Sequence, residues 1–104
     1  MKFTAYDGEI ELLPDGRVRI QKGKRDAGRM IALKDIVSVT LLKPKLTAAG
    51  CIYIQIYGGK VYSPYANVMH YATDINAICF RKPQYDKAVR FKAALEDAIA
   101  AHKE

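Results

Sequence analysis

The chain has 104 residues, half of them hydrophobic and 27% charged, a size and balance that fit one globular domain and argue against a disordered tail or a repetitive fibre. Seventeen Lys and Arg against eleven Asp and Glu give a net charge of +6 with both histidines neutral; this excess favours acidic partners without naming one. The two cysteines, Cys51 and Cys79, are too few for the disulfide framework of a small secreted domain, and neither lies in a CxxC pair or a Cys/His cluster.

The chain reaches an acid at Asp7 with no apolar run before it, so no secretory leader is expected, and no stretch approaches the ~18 apolar residues of a membrane span. A reducing cytoplasm is the expected location. Alternation with period two starts at Gly8: Ile10 and Leu12 face one way, Glu9 and Glu11 the other. After Pro14-Asp15-Gly16, residues 17–21 repeat the pattern with Val18 and Ile20, predicting two half-buried strands joined by a tight turn. Proline presets its own φ there, and Asp-Gly tolerates the positive φ that tight turns need. The polar run 22–28 is a loop. Residues 30–33 make a short strand and 36–42 a longer one in which Val37, Val39 and Leu41 share a face, until Pro44, with no N–H to donate, stops it.

A loop over 45–50 leads to the clearest strand, 51–57, with Ile52, Ile54 and Ile56 on one face and Tyr53, Gln55 and Tyr57 on the other. Gly58-Gly59 then signals a hairpin. Residues 60–74 hold no sustained period, and a short strand is placed at 61–65. Alternation resumes over 76–80, and Arg81-Lys82-Pro83 ends the strands. From Gln84 the period changes: Ala88, Phe91, Leu95, Ala98 or Ile99 and His102 recur at three and four, with Lys87, Arg90, Glu96 and Asp97 elsewhere on the wheel. This predicts an amphipathic helix over about 84–102 that must bury its stripe on the strands or on a partner.

Six or seven antiparallel strands over about 1–82 followed by one helix form a mainly β single domain, and a small barrel capped at an open end by the helix suits that order. Ile10, Leu12, Val18, Ile20, Val37, Val39, Ile52, Ile54, Ile56, Ile78 and Phe80 are expected to point into the barrel, with Phe91, Leu95 and Ile99 closing it. Residues 31–39, Lys43-Pro44, Gly50 before the Ile-x-Ile-x-Ile strand, Gly58-Gly59 and residues 76–84 give the chain its likeness to a known family. On these, over about residues 6–100, it resembles the bacterial pleckstrin-homology-like (PH-like) domains, in particular the domain-of-unknown-function family often joined to a C-terminal SHOCT helical segment. The resemblance implies the capped barrel over 1–104, without a SHOCT tail. The tyrosine-rich stretch 61–73 does not match the family pattern, and phosphoinositide binding is not carried over from fold analogy.

No residue set carries catalysis, metal or cofactor chemistry in this reading. His70 and His102 are 32 positions apart with no ligand at metal spacing, Cys51 and Cys79 read as small hydrophobes on strands, and Ser38 and Ser63 lack a nucleophile-elbow context. Gly58-Gly59 is not followed by the Lys-Ser/Thr of a phosphate cradle, and Glu9 with Glu11 reads as a solvated strand face. The expectation is therefore no enzyme. Two surfaces remain. Tyr53, Tyr57, Tyr62, Tyr65 and Tyr71 are five of the seven tyrosines within nineteen residues, a candidate interface because tyrosine offers apolar area with a polar tip. Arg17, Arg19, Lys22, Lys24, Arg25 and Arg29 form a candidate anion-binding segment, though without aromatics for stacking bases. The expected function is a non-enzymatic interaction module mediating protein association, self-association as a homodimer included. Binding of anionic lipid headgroups or nucleic acid through 17–29 is the alternative.

Overall fold

The computed structural model describes residues 1–103, with side chains to residue 102. Among the described residues, seven strands form two antiparallel sheets. The first contains β1 (Lys2–Ala5), β2 (Gly8–Leu12), β3 (Arg17–Lys22) and β4 (Arg29–Ala32) in chain order. The second contains β5 (Ile36–Leu42), β6 (Gly50–Ile56) and β7 (Ala77–Phe80), also in chain order. A four-residue helix, α1 (Val68–Tyr71), interrupts the long β6–β7 connection, and α2 (Tyr85–Lys103) ends the described chain.

The β2–β3 turn follows from its residues: Leu13 and Arg17 pair through a 2.9 Å backbone hydrogen bond, and Gly16 takes the positive φ of 83° that closes a three-residue loop after Leu13. β1 is a strand that the alternation did not predict. It pairs Phe3 with Ile10 and adds the buried Phe3 ring to the core. The strand expected at 61–65 is absent. Pro64 has no amide to donate, and the edge of β6 that such a strand would need is taken by β7, which pairs Cys51 with Cys79 and Ile52 with Ile78.

One core lies between the sheets. Ile10, Val18 and Ile20 from the first meet Ile36, Val39, Ile52, Ile54, Ile78 and Phe80 from the second, and α2 lays Ala88, Phe91 and Leu95 on it. Leu12, Ile56 and Ile99 sit at its margin, half-buried. Val37 does not point inward as expected: a bulge between Ile36 and Ser38 places Ile36 and Val39 on the core face and leaves Val37 41% exposed.

The two sheets are not closed into a barrel by backbone pairing. At β7 the free edge is met by side chains instead. Asp7 Oδ1 accepts from the Cys79 amide at 2.7 Å, the Lys22 ammonium donates to the Ala77 carbonyl at 2.6 Å, and Lys22 and Asp7 pair at 3.2 Å. One ion pair of the first sheet therefore satisfies a donor and an acceptor on the edge strand of the second. Gly8, beside Asp7, permits the close approach: a Cβ there would come within 2.6 Å of Ile78 Cδ1.

Candidate interaction surfaces

Residues 60–75 fold back over the outer face of β6. Their path sets the fate of the tyrosines. Cys51 and Tyr53 on β6 and Ala77 and Cys79 on β7 form a second apolar floor, which Tyr62, Ala66, Val68, Tyr71 and Ala72 cover. Tyr53, Tyr62 and Tyr71 stack into one cluster, with ring centroids 5.1 Å apart for Tyr53–Tyr62, 5.3 Å for Tyr53–Tyr71 and 4.1 Å for Tyr62–Tyr71. The Tyr53 hydroxyl donates to the Lys60 carbonyl at 2.6 Å, and the Tyr62 hydroxyl donates to Asp74 at 2.7 Å. Burial raises the pKa of all three phenols, and at Tyr62 the Asp74 carboxylate adds to it. Tyr53 is 3% and Tyr71 5% exposed, so the five tyrosines do not make one surface. Tyr57 and Tyr65 lie outside the cluster and are exposed.

The signal for this arrangement was in the sequence. A strand whose second face carries Cys51 and Tyr53, paired with one carrying Ala77 and Cys79, is apolar on both faces and needs two layers of cover. Tyrosine's polar tip obscured the pattern.

The basic segment is largely neutralised by its own sheet. Arg17 pairs with Asp15 at 2.5 Å, Arg19 with Glu9 at 2.9 Å, Lys22 with Asp7, and Arg29 with Asp26 at 3.7 Å. Arg29 also reaches the Asn76 side chain at 3.0 Å, tying β4 to the start of β7. Hydrogen bonds from Arg19 and Lys2 hold the Glu9 carboxyl below its usual range, and the Lys22 and Gly28 amides do the same for Asp26. Of the six candidates, only Lys24 and Arg25 stand exposed on the loop with no carboxylate paired to them among the described residues.

A third surface had no sequence expectation attached to it. The β5–β6 hairpin is closed by reciprocal backbone hydrogen bonds between Lys45 and Ala48, at 2.9 and 3.3 Å, leaving Leu46 and Thr47 as a two-residue apex. Turn apices favour Gly, Asn, Asp and Pro. Leu46 sits there 93% exposed, while Pro44 at the hairpin base is buried. Grooves of about 330 Å³ flank the hairpin on both sides. One runs to Tyr65 and Asn67, the other to Arg81 and Lys82, and among the described residues no carboxylate lines either. Lys45, Arg81 and Lys82 line one groove together with Leu46, and Lys43 and Lys45 line the other. Lys43 also leans over the Tyr85 ring at 5.7 Å and Arg81 over the Tyr6 ring at 4.9 Å, contacts that orient both cations without cancelling their charge.

The cysteines and His70 have structural partners, while His102 is exposed on α2 rather than buried on its stripe. Cys51 and Cys79 face each other across β6 and β7 as free thiols, and the contact between them together with burial pushes the Cys51 thiol up, which keeps it protonated. His70 Nδ1 accepts from the Asn67 amide at 3.0 Å while the Asn67 side chain accepts from the Met69 amide, a reciprocal cap on α1. Among the described residues no three His, Cys, Asp or Glu converge to hold a metal, and no helix is long and apolar enough to cross a membrane. Comparison with protein-family models, curated proteins and solved structures gives no match to this chain.

Proposed function

We propose that the chain is a non-enzymatic interaction module of PH-like build, docking through the β5–β6 hairpin and the segments beside it. The observation that carries the reading is the apex: an almost fully exposed leucine that shares one groove with Lys45, Arg81 and Lys82, with Lys43 in the groove on the other side and no carboxylate among the described residues of either. Isolated exposed apolar residues are ordinary, but an apolar side chain at a tight turn inside a single-signed field has the composition of a docking point. The order of four strands, three strands and a helix over a shared core supports the PH-like reading. The facing free thiols suit a reducing cytoplasm.

The anionic-ligand function expected of 17–29 moves in this reading to residues 43–49 and 81–83, because the acids of the first sheet already engage most of the earlier segment. Adding inorganic polyphosphate to the full chain should shift amide resonances at 43–49 and 81–83. Shifts confined to Lys24 and Arg25, or none, would overturn the reading.

Protein association, self-association included, is the second reading. It is carried by Val61, Tyr65 and Met69, all strongly exposed on the β6–β7 connection. Sedimentation velocity should then show a concentration-dependent dimer that Tyr65→Asp combined with Met69→Asp dissociates.

A further inference from the structure

The cationic apex and its leucine together specify a partner more narrowly than charge alone does. We infer that the β5–β6 hairpin docks onto the surface of a bilayer containing anionic lipid, with Leu46 entering the acyl boundary and Lys43, Lys45, Arg81 and Lys82 lying at headgroup level. The inference rests on the module reading above and names its partner.

Three observations favour a bilayer. A leucine side chain cannot stack on bases, so a nucleic acid would satisfy the cations and leave the 93% exposed Leu46 in water. A bilayer offers an anionic layer above an apolar one, in the order that the hairpin presents its cations and its apex. Tyr65, which lines the groove beside the hairpin and is 92% exposed, is the residue type that gathers at headgroup depth, where its ring is half apolar and its hydroxyl wet. The hairpin is also firmly held, because buried Pro44 and Gly50 anchor its base. At Gly50 the backbone passes so close to Phe80 that a Cβ would lie 2.7 Å from the ring.

Each cation near an anionic leaflet is worth about fivefold in partition, and one small apolar insertion gives only reversible binding. The association is therefore weak, salt-sensitive and dependent on both parts. The test is co-sedimentation of the full chain with vesicles of equal parts phosphatidylcholine and phosphatidylglycerol, against phosphatidylcholine alone. Binding to the mixed vesicles only is expected, reduced by about 25-fold in Lys45→Gln/Lys82→Gln and by several-fold in Leu46→Ser. Lys24→Gln/Arg25→Gln should bind as the unaltered chain does. Leu46 and the substituted lysines are exposed, so circular dichroism should show every variant folded.

No binding to mixed vesicles would overturn the inference, as would equal binding to both kinds or binding indifferent to Leu46→Ser. Polyphosphate shifts at 43–49 and 81–83 without vesicle binding would leave the module reading standing and remove the lipid.

Discussion

Glu9 shows how a surface carboxylate reports on the sheet beneath it. It sits opposite Thr4 on β1 and Gln21 on β3, and it takes ion pairs from Lys2 at 3.2 Å and Arg19 at 2.9 Å. Hydrogen bonds from those two cations depress its folded pKa. A carboxylate so depressed contributes stability that is fully present above its unfolded pKa, about 4.3, and is lost as pH falls through the lower folded value. Glu9→Gln should therefore flatten the acid limb of a stability curve measured by urea unfolding below that pH, with little change at neutrality beyond the modest worth of a partly exposed pair. The alternation of Glu9 and Glu11 with Ile10 already marked this face as solvated. What spacing could not reveal was that Arg19, read as a ligand-binding cation, is committed to Glu9 across the strand pair.

Elements with a single period were legible, and those serving two neighbours were not. The α2 stripe is the clear success, because a helix packed on one side keeps its three-four spacing: Ala88, Phe91 and Leu95 are buried as the wheel predicts. Phe91 packs 6.1 Å from Phe3, whose ring in turn meets Phe80 edge-on at 5.6 Å. Phe91→Ala should cost about 3–5 kcal/mol in denaturant unfolding, since β-strands on the far side cannot collapse into the space. β6 is the opposite case. Its isoleucine face read correctly, but its second face carries the buried Cys51 and Tyr53 and lies under the 60–75 connection. Tyr53→Ala is accordingly expected to destabilise by about 3–5 kcal/mol, whereas Tyr65→Ala, on a 92% exposed ring, should stay within about 0.5 kcal/mol. Equal costs at the two positions would count against the covered cluster. The β5 bulge was invisible for a related reason: one extra residue inverts the faces locally, and nothing in Ile36-Val37-Ser38 marks which apolar residue is the extra one.

At the level of the whole molecule, mainly β content and the terminal helix were readable because both follow from local periodicity. The expected barrel was not found, since the two sheets stay separate, and the link between them was not readable because it depends on side chains far apart in sequence. Asp7 read only as an acid near the start of the chain and Lys22 as one base in a polar segment, yet together they hydrogen-bond the Cys79 amide and the Ala77 carbonyl of β7. Exposed sheet edges invite pairing with other chains, and a carboxylate with an ammonium on the free amide and carbonyl occupies those groups. The Leu46 apex was equally hidden, since Arg81 and Lys82 reach the groove of Lys45 and Leu46 only once β5, β6 and β7 are laid side by side.

The Asp7–Lys22 clasp also fixes an order of events in time. Every ladder of the first sheet joins neighbours in the chain, and β5 with β6 forms a local hairpin, whereas the contacts from Asp7 to Cys79 and from Lys22 to Ala77 span 72 and 55 residues. Loop-closure entropy puts such contacts after the local hairpins. Interactions absent from the folding transition state act on the escape rate from the native basin, so the clasp is a brake on opening. In stopped-flow chevrons, Asp7→Ala should leave the refolding limb near its original position and raise the unfolding limb by roughly 5- to 150-fold, the range expected when a buried amide loses its acceptor. A slowed refolding limb would place closure in the nucleus instead.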